Sequence, residues 1–135
     1  MLREEVINVQ IQTEENKQTG NKAQEIQFER MKLASFNNFD GESVGESLRR
    51  SKHLWKAFVF GRWEYFDLIE LRDLSTGYLN ADTLYILTDK RKLADLLIII
   101  NGWSADEVNY YTEDKSHRLG GGFYKDTVLV RVWWD

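Results

Sequence analysis

Residues 83–100 read TLYILTDKRKLADLLIII, and this stretch decides the fold class. Its first five residues are β-branched, aromatic or leucine side chains, which favour a strand over 83–87. The apolar residues that follow at the spacing of one helix face are Leu93, Leu96, Leu97 and Ile100. Asn101-Gly102 supplies a helix stop immediately after them. The sequence therefore predicts a strand that leads directly into an amphipathic helix.

Downstream of that helix the chain predicts two more strands. Val108–Tyr111 is a short run of strand-forming residues. The final stretch alternates, so one face of a strand is formed by Val128, Val130, Val132 and Trp134 and the other by Leu129, Arg131 and Trp133. The order strand, helix, strand, strand is that of a split β-α-β unit.

Upstream of this stretch the pattern is less regular. Residues 7–12 alternate apolar and polar side chains, which is typical of a half-buried strand, and the most polar part of the chain, 14–22, follows. A helix is predicted over 22–35, and Asn37–Gly41 breaks it. Tyr65–Arg72 is predicted to be a central strand, because its apolar residues fall on both faces.

A second helix is predicted over 43–58, where the helical spacing is clearest. Its apolar stripe consists of Val44, Leu48, Trp55 and Phe58. Ser43, with Glu46 three residues later, has the spacing of a capping box and is expected to begin the helix. The C-terminal boundary stays open, because the run Phe58–Phe60 either ends this helix or begins a strand.

Together these elements predict one α+β domain over residues 1–135. The expected architecture is a two-layer sandwich, an antiparallel or mixed sheet of about five strands with two to three helices on one side. Residues 1–21 are expected to form an N-terminal strand or arm and a mobile loop, and 22–135 the body of the domain. With 135 residues, the chain can bury one core of ordinary size.

The composition excludes several classes of function. The chain has no cysteine and two histidines, neither at metal-ligand spacing from a second histidine, and it lacks nucleophile-elbow and phosphate-loop motifs. We therefore expect no cofactor, no resident metal and no catalytic residue. The net charge is −4, with the acidic excess in the second half of the chain, so a strongly basic nucleic-acid coat is not expected.

The same composition bears on location. No apolar run approaches the roughly 18–20 residues that span a bilayer. The first residues also lack the pattern of a secretory signal. We therefore expect a cytoplasmic protein that does not bind membranes.

One enzymatic alternative rests on acidic residues in and around the predicted strand 65–72. They are Glu64, Asp67, Glu70 and Asp73. Asp67 and Glu70 could chelate a divalent cation that activates water, as in a divergent metal-dependent nuclease. Their odd separation places them on opposite faces of a regular strand, which argues against such a site.

Two basic features favour a binding role. In the predicted 43–58 helix one basic stripe is formed by Arg49, Lys52, His53 and Lys56, with Arg50 beside it. The second feature is Lys90, Arg91 and Lys92, at the start of the next helix, where the helix dipole disfavours cations and free amides attract anions. An ordinary solvated surface also explains both.

Trp133 and Trp134 lie on opposite faces of the last predicted strand, so one of them, which we assign as Trp133, is a candidate for an interface. The alternative is that a second layer covers both faces of the strand. The leading hypothesis is a small non-enzymatic interaction or regulatory protein. It would dock a macromolecular partner, a protein in the first instance, through the basic helix face and exposed aromatics. The alternative is a nucleic-acid-associated protein that binds phosphates or acts as the metal-dependent nuclease described above. The sequence does not predict an oligomeric state.

Overall fold

The computed structural model describes residues 22–62, 74–77, 79, 81–112 and 126–135. Several predictions lie outside these residues: the strand over 7–12, the polar loop after it, and the strand over 65–72 with the four acidic residues in and around it. The described helices and strands are α1 (22–32), β1 (Ser35–Phe36), β2 (Phe39–Asp40), α2 (Gly41–Arg50), β3 (Ala57–Gly61), β4 (Thr83–Asp89), α3 (Leu93–Asn101), β5 (Glu107–Thr112) and β6 (Thr127–Trp133). Two 3₁₀ turns, Lys52–Leu54 and Lys90–Lys92, precede β3 and α3.

Within the described residues, the main sheet has four antiparallel strands in the order β3-β4-β6-β5, and β1 and β2 form a separate hairpin. One row across the sheet consists of Phe58, Ile86, Val130 and Tyr110. Because β6 is antiparallel to both of its neighbours, β4 and β5 run parallel to each other, and α3 lies between them in the chain. The predicted split β-α-β unit is therefore confirmed.

The helices pack on one face of this sheet, so the predicted α+β sandwich is confirmed. The valines of β6, with Trp134 directly after it, share a core with the aromatic residues of β3 and the aliphatic residues of β4. From the helix layer the core receives Phe28, Met31, Val44, Leu48, Leu96 and Ile100. Of the face predicted for α3, Leu96 and Ile100 are buried and Leu93 and Leu97 are half-buried.

The predicted helix over 43–58 is wrong at both ends. The helix begins at Gly41, and the cap is Asp40, whose carboxylate accepts from the Ser43 N–H at 3.2 Å. It ends at Arg50, where the Ser51 hydroxyl donates to the Ser47 carbonyl at 2.7 Å. Phe58–Phe60 belongs to strand β3, which begins at Ala57, and its aromatic and β-branched residues pair with β4.

The chain between α1 and α2 is held by one close approach. The Gly41 N–H donates to the Ala34 carbonyl at 3.1 Å. A Cβ atom at Gly41 would lie 1.8 Å from the Met31 carbonyl oxygen, so no larger residue fits there. The hairpin between β1 and β2 turns through Asn37 at a φ of 46°, a region that asparagine tolerates well.

Three tryptophans pack in the core between the helices and the sheet. Trp55, Trp103 and Trp134 are buried, and the indole N–H of each donates a hydrogen bond. The acceptors are the Leu48 carbonyl, the Ser47 hydroxyl and the Trp103 carbonyl, respectively. Trp133 lies on the opposite face of β6 and is half-buried.

Candidate functional site

The predicted basic stripe does not exist as a helix face. Because α2 ends at Arg50, Arg49 lies in its last turn, Lys52 and His53 lie in the following 3₁₀ turn, and Lys56 directly precedes β3. The prediction is wrong because it applies the 100° spacing of a helix beyond Ser51, where the helix has already ended. It therefore places residues from three different local structures on one face.

Arg49 points towards α1 and is partnered there. Its guanidinium donates to both carboxylate oxygens of Glu25, at 2.8 and 2.6 Å, and lies 3.9 Å from the centre of the Phe28 ring. These hydrogen bonds lower the pKa of Glu25 and raise the pKa of Arg49. Arg49 therefore ties α2 to α1 and does not present an unpaired cation.

The other basic residues converge at one end of the sheet. The Lys56 N–H donates to the Leu87 carbonyl at 2.8 Å, and the Lys56 ammonium lies 3.5 Å from the Asp89 carboxylate. The Thr88 hydroxyl donates to the Leu54 carbonyl. These contacts place the turn Lys52–Leu54 against the last residues of β4, immediately before the turn Lys90–Lys92.

We call this region the basic end and define it by Lys52, His53, Lys56, Lys90, Arg91 and Lys92. All six residues are exposed. Lys56 is ion-paired with Asp89, but within the described ranges no acidic side chain forms an ion pair with Lys52, Lys90, Arg91 or Lys92. Arg50 is exposed at the end of α2, two residues before Lys52. The two basic features that the sequence presents separately are thus one surface.

The start of α3 adds to this surface. Lys92 occupies the N-cap position of the helix, and no side chain there accepts from the first-turn N–H groups. The two nearby polar residues are engaged elsewhere, Thr88 with Leu54 and Asp89 with Lys56. Cations at a helix N-terminus oppose the helix dipole, so this arrangement contributes nothing to the stability of α3.

Trp133 is not part of the basic end. It pairs with Thr83, the first residue of β4, whereas the basic end follows the last residue of that strand, Asp89. Seven residues of strand separate the two sites by about 20 Å. Beside Trp133 lies a small cavity of about 150 Å³, lined also by Arg62 and Asp82.

Sequence reasoning missed a second arrangement, in which α1 covers the outer edge of β3. The Gln24 side chain donates to the Phe58 carbonyl at 2.9 Å and accepts from the Phe58 N–H at 3.0 Å. Gln27 accepts from the Phe60 N–H at 3.0 Å. No local pattern signals such contacts, because the partners are 33 and 34 residues apart and glutamine is an ordinary residue on an exposed helix face.

Comparison of the chain with protein-family models, curated proteins and solved structures gives no match. Across the described ranges, no three histidine or acidic side chains are grouped so that they could hold a metal ion. Within the same ranges, no helix has the length and apolar character needed to cross a bilayer. The carboxylates Asp67 and Glu70 lie outside the described residues, so the nuclease alternative stays a prediction.

Proposed function

We propose that the protein is a small non-enzymatic interaction protein whose basic end docks on an acidic surface of a partner protein. One observation carries this proposal. Two basic segments separated by more than thirty residues of sequence come together at one end of the sheet, with every basic side chain exposed. In the segments 50–56 and 89–92 the only acidic residue is Asp89.

Electrostatics supports a binding role for this clustering. Like charges gathered on one surface repel each other and lower the stability of the folded chain. The protein as a whole has a net charge of −4, so acidic residues are available to neutralise such a cluster. A local excess of positive potential on an acidic domain is well suited to orient the encounter with an acidic patch.

A protein partner fits better than a nucleic acid. The basic end is one patch on an acidic domain, so a long polyanion would be repelled by the surface around it. The buried tryptophans Trp55, Trp103 and Trp134 cannot stack on bases. The consecutive cations Lys90, Arg91 and Lys92 nevertheless supply the positive charge that phosphate binding requires, which makes phosphate binding the second candidate.

Single charge reversals test the proposal. Lys52→Glu, Lys90→Glu and Lys92→Glu are compared with Lys32→Glu, which makes the same change in charge. Since Gln24 contacts Phe58 and Gln27 contacts Phe60, α1 runs away from the basic end, and Lys32 lies beyond these contacts. Fluorescence anisotropy is measured with a labelled Glu-rich peptide and with a nucleic-acid duplex at increasing salt.

We expect the peptide to bind the wild-type protein and the Lys32→Glu variant equally. Each reversal in the basic end should weaken binding by about tenfold. Tighter binding to the duplex, with an affinity that falls steeply with salt, would favour the second candidate. Unchanged binding in all three variants, or no binding of the wild-type protein to either probe, contradicts both.

A further inference from the structure

The two edge strands of the main sheet differ in the hydrogen bonding of their outward-facing backbone groups. At the β3 edge, Gln24 and Gln27 bond to outward-facing peptide groups, as a neighbouring strand would. At the β5 edge, no described residue forms a hydrogen bond to the outward-facing backbone. An uncovered edge is a template for another strand.

The register shows which β5 peptide groups face outward. Directly after β6, the Trp134 N–H donates to the Asp82 carbonyl on the β4 side, and the carbonyl of Trp133, the last residue of β6, accepts from the Asp106 N–H on the β5 side. Direction alternates along an antiparallel ladder, so odd-numbered residues of β6 bond to their register partners in β5. The β5 residues left with outward-facing N–H and C=O groups are Val108, Tyr110 and Thr112.

The side chains beside this edge are apolar and exposed. Val108 is 39% exposed and Tyr110 is 56% exposed, on the face of the sheet that carries the helices. Their register partners Val132 and Val130 are completely buried. The helix layer thus covers β6 and leaves β5 open.

The strand also lacks the usual protection of an edge. Glu107–Thr112 contains no lysine, arginine or proline, the residues that commonly block strand addition. Its one charged residue, Glu107, is already paired with the buried Arg131 at 3.2 Å. Valine, tyrosine and threonine make up most of the rest, which is the composition of a strand with neighbours on both sides.

We propose that two copies of the chain associate through the outer edges of β5, as an antiparallel pair related by a two-fold axis at Tyr110. In this register Tyr110 faces its own counterpart, and Val108 faces Thr112 of the partner subunit. Outward-facing peptide groups then meet each other, and the facing side chains are aromatic or β-branched and uncharged. This surface is separate from the basic end and independent of its function.

A second copy is the occupant that the sheet favours. The dimer joins the four described strands of each copy into one continuous sheet, and among these strands the two outer ones are both β3. Gln24 and Gln27 cover those edges, so the assembly closes without exposing a new one, whereas an unrelated strand would bring its own. Because the two β5 strands run in opposite directions, the two basic ends lie at opposite sides of the sheet and do not repel each other.

The test is the oligomeric state of the full chain by sedimentation equilibrium. We expect the wild-type protein to be dimeric at about 0.1 mM. Tyr110→Lys places two like charges opposite each other and should weaken the dimer by about tenfold or more. Ile98→Lys, at an exposed large apolar residue of α3 (71%), is the matched control and should remain dimeric.

A second readout does not depend on the lysine variant folding. The chain has no cysteine, so Tyr110→Cys carries a single thiol. The two-fold axis brings this thiol next to its counterpart, and mild oxidation should give a disulfide-linked dimer, while Ile98→Cys should stay monomeric on a non-reducing gel. A monomeric wild-type protein, a dimer unaffected by Tyr110→Lys, or equal cross-linking at both cysteines would overturn the proposal.

Discussion

The carboxamide of Gln24 and the peptide groups of Phe58 form a two-bond pair, with the side-chain N–H donating to the carbonyl and the side-chain oxygen accepting from the N–H. One glutamine on α1 thus satisfies both backbone groups of a residue on an edge strand. Phe58 is itself buried, so losing the pair leaves two polar groups without easy access to water.

We therefore expect Gln24→Leu to lower the free energy of unfolding by about 1–3 kcal/mol. Gln27→Leu, which removes one accepted bond instead of two bonds, should have a smaller effect. Urea denaturation of both variants measures the difference. If Gln24→Leu lost no stability, water would replace the glutamine at this edge. Equal losses of stability in the two variants would mean that the second hydrogen bond of Gln24 adds nothing.

These contacts mark the limit of what the sequence predicts. Alternation in β6 and the helix spacing and Asn-Gly stop of α3 are local signals, and the structure confirms both elements. Gln24 contacts Phe58 only because α1 lies along β3. The sequence around either residue contains no pattern that predicts this contact. Pairings between distant residues depend on the packing of whole elements, which periodicity does not contain.

The wrong bounds predicted for α2 have a related cause. Val44, Leu48, Trp55 and Phe58 are all buried, so each is apolar, and their spacing happens to fit one helix. The stop at Ser51 uses no glycine or proline but a hydroxyl bonded to the preceding turn. For the candidate site, the sequence identified the basic residues, but the convergence of Lys52 with Lys90–Lys92 follows from the pairing of β3 with β4.

The N-cap residue of α2 differs between the sequence-based prediction and the structure. Asp40 accepts from the Ser43 N–H, whereas the capping box places Ser43 at the cap. Asp40→Ala should lower stability by about 0.5–2 kcal/mol, and Ser43→Ala should change it by less than about 0.5 kcal/mol. Thermal unfolding of the two variants distinguishes them, and the reverse order would restore Ser43 as the cap.

The ion pair between Arg49 and Glu25 predicts a dependence of stability on pH. Hydrogen bonds from Arg49 lower the pKa of Glu25 in the folded protein. The pair therefore stabilises the fold above the unfolded pKa of Glu25, and this stabilisation is lost as the pH falls through the lower folded pKa. The side chains are 42% and 48% exposed, so solvent screening should keep the effect below about 1 kcal/mol.

Glu25→Gln should therefore lower the Tm at neutral pH and narrow its difference from wild type between about pH 5 and pH 3. Glu46→Gln is the control, because Glu46 is exposed on α2 and no described residue forms an ion pair with it. Melting curves across this range provide the measurement. A constant Tm difference for Glu25→Gln would contradict the assigned role of the pair.

Two glycines of α2 give the sharpest test of the packing between α1 and α2. A Cβ atom at Gly41 would lie 1.8 Å from the Met31 carbonyl oxygen and 2.5 Å from the Ala34 carbonyl oxygen, and backbone atoms cannot move aside cheaply. At Gly45 the nearest atom to an added Cβ belongs to the Phe28 ring at 3.9 Å, an ordinary contact.

Alanine is favoured over glycine in a helix by up to about 1 kcal/mol. Only Gly41 has a clash that opposes this gain, so the two substitutions should change the free energy of unfolding in opposite directions. We expect Gly45→Ala to raise the free energy of unfolding by about 0.5–1 kcal/mol. Gly41→Ala should lower it by about 1–3 kcal/mol, because the clash with two carbonyl groups outweighs the gain in helix propensity. Urea denaturation at one temperature compares both variants with the wild-type protein. If Gly41→Ala were neutral or stabilising, α1 and the start of α2 could not approach as closely as the hydrogen bond from Gly41 to Ala34 requires.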